Sequence, residues 1–245
     1  MPPIGYYLAS SLIEWPGYIT ASVVMQGCNF RCPFCHSRDF VPVKPPEHEI
    51  PLELILKDIR KRHGWVDAVV ISGGEPCIHA ELPEMLRLFK ESKVLVKLDT
   101  NGTYPEMLET AINEKLVDLV AMDVKAPLDQ RYVRATGVKA NLDNVKRSID
   151  ILMKHPELQE FRTTYVPGIH GEPEALEIAK TLEGAALYYV QGFVPHNTLD
   201  EAYMSIDRFT LPELKRFAEI AAPYIKRVEV RGEDVVFVDG KLITK

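Results

Sequence analysis

Cys28, Cys32 and Cys35 stand at C-x-x-x-C-x-x-C spacing in the run Gln26-Gly-Cys-Asn-Phe-Arg-Cys-Pro-Phe-Cys-His36. Three thiolates on one short loop can ligate three irons of a [4Fe–4S] cluster. Such a cluster keeps one iron open to an outside ligand, which suits chemistry at iron, because simple electron storage ordinarily uses four thiolates. Two other readings exist. A structural zinc site wants four N/S ligands, and His36 could complete the set only by folding back beside its neighbour Cys35. The Cys32-Pro-Phe-Cys35 pair has the spacing of a redox disulfide, which would leave Cys28 unexplained. Cys77 has no partner at ligand spacing and is expected to pack as a small apolar residue. The seven histidines are scattered without H-x-x-x-H spacing, so no separate transition-metal site is expected. His36 and Ser37 read as polar loop residues.

Further chemistry sits where apolar runs end. Ser72-Gly-Gly-Glu-Pro76 offers two adjacent glycines that let a ligand approach the backbone, although an isolated Gly-Gly is most often a turn. Leu98-Asp-Thr-Asn-Gly102 and Met122-Asp-Val-Lys-Ala126 each carry an acid. An acid at a strand end can accept hydrogen bonds from ribose hydroxyls, and Lys125 can reach a carboxylate. Asp99 and Asn101 also suit a helix cap or a turn. In Phe161-Arg-Thr-Thr-Tyr-Val-Pro-Gly168, period-two alternation puts Arg162, Thr164 and Val166 on one face and Thr163 and Tyr165 on the other. Arg162 is either a ligand-side group or a salt-bridged core arginine. Gln191 and Phe193, in Gln191-Gly-Phe-Val-Pro-His196, either border a ligand or pack.

The elements that must position these residues alternate. Strands are expected at Ile19–Gln26, Asp67–Ser72, Val94–Leu98, Val117–Val124, Glu160–Val166 and Ala186–Val194. Helices are expected at Leu52–Arg62, Glu81–Glu91, Pro105–Asn113, Leu142–His155 and Glu172–Glu183, with Val145, Ile149, Leu152 and Met153 facing the sheet. A further helix, Leu211–Ala222, is closed by Pro223. Six such strands alternating with helices predict an α/β fold with a parallel sheet of βαβ units, two units short of a closed eight-stranded barrel. Ligands then gather at the C-terminal ends of the strands. Arg227–Lys245 reads as a strand, an Asp239-Gly240 turn and a short strand at the sheet edge. Pro42–Pro51 reads as an extended crossover. One domain spanning residues 1–245 is expected, with its core at about 19–195 and a C-terminal helix and hairpin at about 205–245.

The 245 residues are 46% hydrophobic and 26% charged, enough to bury a sizeable core. Net charge is −6, from 29 Lys+Arg against 35 Asp+Glu, and no basic run provides a nucleic-acid surface. Neither a signal-peptide pattern at the N-terminus nor a bilayer-length apolar run is present. Cysteine usage fits a cytoplasmic protein rather than a disulfide scaffold, and an exposed low-potential cluster would be oxygen-sensitive, so an anaerobic setting is expected.

The cysteine loop, the Gly-Gly-Glu-Pro run one βα unit later and the strand-end acids together resemble the radical S-adenosylmethionine (SAM) superfamily. The resemblance implies an open, partial (β/α)6 barrel. It also implies a [4Fe–4S] cluster on Cys28, Cys32 and Cys35 whose open iron takes the SAM amino and carboxylate groups. Reductive cleavage of SAM then gives a 5′-deoxyadenosyl radical. By the same resemblance Phe34 lies beside adenine, Gly73, Gly74 and Glu75 hold the SAM ammonium, and Asp99, Asn101, Asp123, Lys125 and Arg162 are cofactor-side groups. Asp99, Thr100, Asp123 and the Ala121 carbonyl are implied as a shell for a monovalent cation, a set of oxygen donors that suits a hard ion.

Ser10-Ser-Leu-Ile-Glu-Trp-Pro-Gly17, Met122–Pro127, Arg147–Leu152 and Phe161–Gly168 narrow the likeness. They resemble the group of anaerobic ribonucleoside-triphosphate reductase activating proteins and pyruvate formate-lyase activating enzymes. That resemblance implies hydrogen abstraction from a glycine of a partner such as anaerobic ribonucleotide reductase, with flavodoxin or ferredoxin as electron donor. Gln191-Gly-Phe-Val-Pro departs from the group in lacking an arginine near Phe193. The alternatives are a radical SAM enzyme acting on a small molecule and a non-catalytic iron–sulfur electron carrier.

Overall fold

The computed structural model describes residues 1–44, 46 and 48–244. Pro45, Glu47 and Lys245 lie outside the described residues, so the crossover expected over Pro42–Pro51 and the end of the C-terminal hairpin are described without them. The strands are β1 (Ile4–Ser11), β2 (Thr20–Met25), β3 (Ala68–Gly73), β4 (Leu95–Thr100), β5 (Leu119–Asp123), β6 (Gln159–Tyr165), β7 (Tyr188–Gly192), β8 (Arg227–Val230), β9 (Val235–Val238) and β10 (Lys241–Thr244). The helices are α1 (Leu52–Lys61), α2 (Leu82–Glu91), α3 (Pro105–Asn113), α4 (Arg131–Thr136), α5 (Leu142–Leu152), α6 (Glu172–Thr181) and α7 (Leu211–Ala221). The strands pair in chain order from β1 to β10, so β1 and β10 are edges and the sheet is not closed. Among the described residues no helix is long and apolar enough to cross a membrane.

The chain divides into two compact units, Met1–Asn29 with Ser37–Thr100 and Tyr104–Val120, and Phe30–His36 with Asn101–Thr103 and Ala121–Lys245. In the first, β1 runs antiparallel to β2, and β2, β3 and β4 are parallel. Helices α1 and α2 bury Leu52, Ile55, Leu56 and Ile59, and Leu82, Met85, Leu86 and Phe89. That i, i+3, i+4, i+7 spacing makes one apolar stripe. Register sets Ser22, Val70 and Lys97 side by side on one sheet face. By alternation Thr20 and Asp99 share that face, while Val23, Met25, Ile71 and Leu98 fill the other. Lys97 is fully buried and its Nζ donates to the Glu14 carbonyl at 2.9 Å.

In the second unit β6, β7 and β8 are parallel, and β9 and β10 continue antiparallel. Pro173 and Pro212 stand in the first turns of α6 and α7, where a missing N–H costs nothing. Arg162, Tyr189 and Glu229 lie level on one face, and Phe161, Tyr188 and Val228 on the other. Each unit therefore presents one apolar and one polar sheet face.

Three elements depart from expectation. β1 precedes the expected first strand. It is an exposed edge whose burial gives no clean alternation, and it is held by Tyr7, whose hydroxyl donates to Asp58 Oδ2 at 2.7 Å and accepts from Arg62 at 2.8 Å. The six-residue α4 is too short to show periodicity. The C-terminal segment forms three strands, because Gly232, at φ +81°, turns the chain between β8 and β9.

Candidate active site

The Gly-Gly-Glu-Pro run closes β3 in the first unit. Gly73 has φ +120°, Gly74 N donates to the Met25 carbonyl at 3.0 Å, and Glu75 N donates to the Gly27 carbonyl at 2.8 Å. A side chain at Gly73 would overlap the Met25 backbone, and one at Gly74 would overlap the Gly27 carbonyl. The room left by both glycines is thus taken by the chain leading into Cys28. Cys28 is buried, and its N–H donates to the Val41 carbonyl at 3.1 Å.

Glu75 is almost wholly buried. Its Oε1 accepts from the Cys77 N–H at 3.0 Å and from the Thr100 hydroxyl at 2.7 Å. Burial and the Glu75 charge push the Cys77 thiol up, so it stays protonated, as expected of a packing cysteine. Thr100 spends its hydroxyl proton on Glu75. Replacing Thr100 by valine strips a donor from a buried carboxylate and is expected to cost about 1–3 kcal/mol. That loss reads as a lower urea midpoint, which Thr100→Ser restores. Tyr104, which the sequence reading missed, has its pKa raised first by burial and then by Glu75, Cys77 and Cys28, which places its hydroxyl in the field of this group.

The second unit holds the rest of the cysteine loop. Cys35 N donates to the Cys32 carbonyl at 3.1 Å, closing a turn around Pro33 and Phe34. Arg31 N donates to the Thr136 carbonyl at 2.8 Å, while Leu199 and Asp200 donate to the Cys35 and Pro33 carbonyls at 3.1 and 2.9 Å. Phe34 is buried and packs 6.5 Å from the Tyr203 ring. His36 stacks on Phe193 with centroids 5.7 Å apart. Asn101 accepts from Thr103 N and Oγ1 at 3.1 and 2.6 Å, a turn-forming role. Gln191 donates to Thr164 Oγ1 at 3.3 Å.

Three expected residues converge where the end of β5 lies beside the middle of β6, with Val124 N donating to the Arg162 carbonyl at 2.8 Å. Asp123 accepts from Lys125 Nζ at 2.8 Å and from Arg162 Nε at 2.9 Å. Burial alone would raise the Asp123 carboxyl, but the two cations hold it well below the usual carboxylate range. Burial opposes the charge on Lys125, but Asp123 and then Cys32 and Cys35 raise its pKa. Its ammonium thus feels the charge of both cysteines of the loop.

His170 completes the support and also escaped sequence reading. Val166 N–H donates to its Nδ1 at 3.0 Å, so the proton sits on Nε2 and goes to the Lys125 carbonyl, 2.9 Å away. Burial lowers its pKa from 6.5 to about 4. The folded chain keeps this ring neutral, so the unfolded chain binds more protons between those values and stability falls as pH drops through them. From pH 7 to 5 the loss is on the order of 2 kcal/mol. Melting curves of the metal-free protein should show it, and His170→Gln should flatten the profile.

All four cysteines are free thiols. Among the described residues no group of three or more His, Cys, Asp or Glu side chains is placed to hold a single metal ion. A model of the radical SAM superfamily matches residues 22–182, two thirds of the chain. The chain belongs to the radical SAM superfamily.

A "Putative glycyl-radical enzyme activating enzyme" of Methanocaldococcus jannaschii is 36% identical over 227 residues, covering 90% of this radical SAM chain and 92% of the relative. The pyruvate formate-lyase 1-activating enzyme of Escherichia coli is 31% identical over 133 residues, covering 51% and 53%. Among solved structures, Streptococcus suis SuiB bound to S-adenosylmethionine superposes with TM-score 0.65 at 15% identity, over 84% of this chain and 48% of the other. TYW1 with a lysine-pyruvate adduct superposes with TM-score 0.63 at 17% identity, over 92% and 82%. At such identities these two structures show the fold.

Membership implies a [4Fe–4S] cluster and SAM. The residues fit them: three cysteines outside any disulfide at the family spacing, a lysine ammonium in the electrostatic field of two of them, and a carboxylate that pairs that lysine with a guanidinium.

Proposed function

We propose that this radical SAM enzyme activates a glycyl-radical enzyme by removing an α-hydrogen from a glycine of that partner. The observation that carries the reading is the likeness to the M. jannaschii activating enzyme over nine tenths of both chains. When bound, the cluster supplies the electron that cleaves SAM to methionine and the 5′-deoxyadenosyl radical that takes the hydrogen.

The remaining work falls to the chain. Cys28, Cys32 and Cys35 hold the cluster. Glu75, fixed by Thr100, receives the SAM ammonium, and the glycines shape the turn that aims it. Lys125 and Arg162 face the carboxylate end, with Asp123 keeping both cations in place, while Asp99 and Asn101 stand for the ribose and Phe34 for the adenine. Anaerobic ribonucleotide reductase is the partner class favoured by the sequence runs, with a flavodoxin or ferredoxin as donor.

The test incubates reduced protein and SAM with a candidate glycyl-radical enzyme and records electron paramagnetic resonance. A glycyl doublet is expected, and a partner peptide deuterated at the glycine α-carbon should pass its label into 5′-deoxyadenosine. If no partner gains a radical while a small metabolite accelerates SAM cleavage, the enzyme acts on small molecules instead.

A further inference from the structure

A line of alternating charges runs across the polar face of the second unit. Lys125 pairs with Asp123, Asp123 with Arg162 Nε at 2.9 Å, Arg162 NH1 with Glu160 at 3.8 Å, and Glu160 with Arg231 NH1 at 3.4 Å. The Glu160 and Arg162 side chains are 3% and 9% exposed, Arg231 23%. Arg231 belongs to the turn after β8. Its N–H donates to the Val190 carbonyl at 2.9 Å, and its guanidinium lies 5.3 Å from the Tyr189 ring centre. Backbone and ring together hold this cation over Glu160.

Two carboxylates compete for Arg162. Asp123 holds its Nε at hydrogen-bond distance, and Glu160 stands farther off. A buried carboxylate that loses a cation draws harder on any other cation within reach, because its desolvation must be compensated. We propose that Arg231 is a positioning residue. By neutralising Glu160 it leaves Arg162 directed at Asp123, and so keeps the Asp123–Lys125–Arg162 group in register for SAM. The link to SAM rests on the functional reading above; the positioning of Arg162 does not. It gives the C-terminal strands a part in the site although Arg231 lies 71 residues from Glu160.

The experiment compares Arg231→Gln, Glu160→Gln, the double variant and Arg162→Gln. One readout is the nitrogen-15 signal of Arg162 Nε–H in the metal-free protein, identified by its loss in Arg162→Gln. The other is the Kd for SAM of the anaerobically reconstituted protein. Arg231→Gln should speed exchange of that proton and weaken SAM binding, each about tenfold, a size common for neighbours in one ion-pair network. The double variant should match Glu160→Gln in both within about twofold. Unchanged exchange in Arg231→Gln, or a double variant as impaired as Arg231→Gln, overturns the proposal. Should Arg231→Gln fail to fold, the Glu160→Gln background decides, since adding Arg231→Gln there must be silent and any loss refutes the role. If the exchange results hold but Arg162→Gln binds SAM like the parent, the SAM assignment falls while the positioning of Arg162 stands.

Discussion

Alanine at Gly74 should leave little folded protein. Its Cβ would overlap the Gly27 carbonyl oxygen, a backbone atom that cannot rotate away, in a segment bonded through Glu75 N to that same carbonyl. Relief requires parting the end of β3 from the chain entering Cys28. The expected cost exceeds about 4 kcal/mol, the range reserved for gross steric or core damage. Gly17 is the control. It has φ +92° with nothing near a Cβ, so Gly17→Ala should cost about 1–2 kcal/mol in backbone strain and stay folded. The two are compared by soluble yield and urea denaturation. A Gly74→Ala protein as stable as Gly17→Ala would show that the turn relaxes freely.

Iron content supplies the second large effect. Anaerobic reconstitution should load about four irons per chain, and alanine at Cys28, Cys32 or Cys35 should reduce that to near zero and abolish SAM cleavage. Cys77→Ala should keep both, since its thiol is buried and protonated beside Glu75. Full iron loading of Cys32→Ala, measured alongside its visible absorption, would overturn the ligand assignment.

The alternating core was legible because its signals are local. Leu52, Ile55, Leu56 and Ile59 announce α1, the apolar runs at β3 and β5 announce strands covered on a packed face, and the aromatic and β-branched residues of β6 announce an alternating one. The cysteine spacing and the strand-end acids were legible for the same reason. β1 was not, because an edge strand with exposed Tyr6 and Leu8 lacks alternation. His170 reaches the Lys125 carbonyl from 45 residues away, and Arg231 reaches Glu160 from 71. Contacts between distant segments leave no periodic trace. The glycine pair shows a subtler limit: the sequence announces a close approach but does not say whether a ligand or the chain itself makes it.

The clamps on the cysteine loop bear on the order in which the protein is made. The loop is tied by Thr136 on one side and by Leu199 and Asp200 on the other. A ribosome that has delivered all three cysteines still has some 160 residues to add before the last clamp exists. Through that interval the Pro33–Cys35 end of the loop lacks its last clamp, and its thiols are open to whatever iron or oxidant meets them. Cluster insertion therefore belongs after synthesis, and a nascent chain truncated before Leu199 should be a poor recipient.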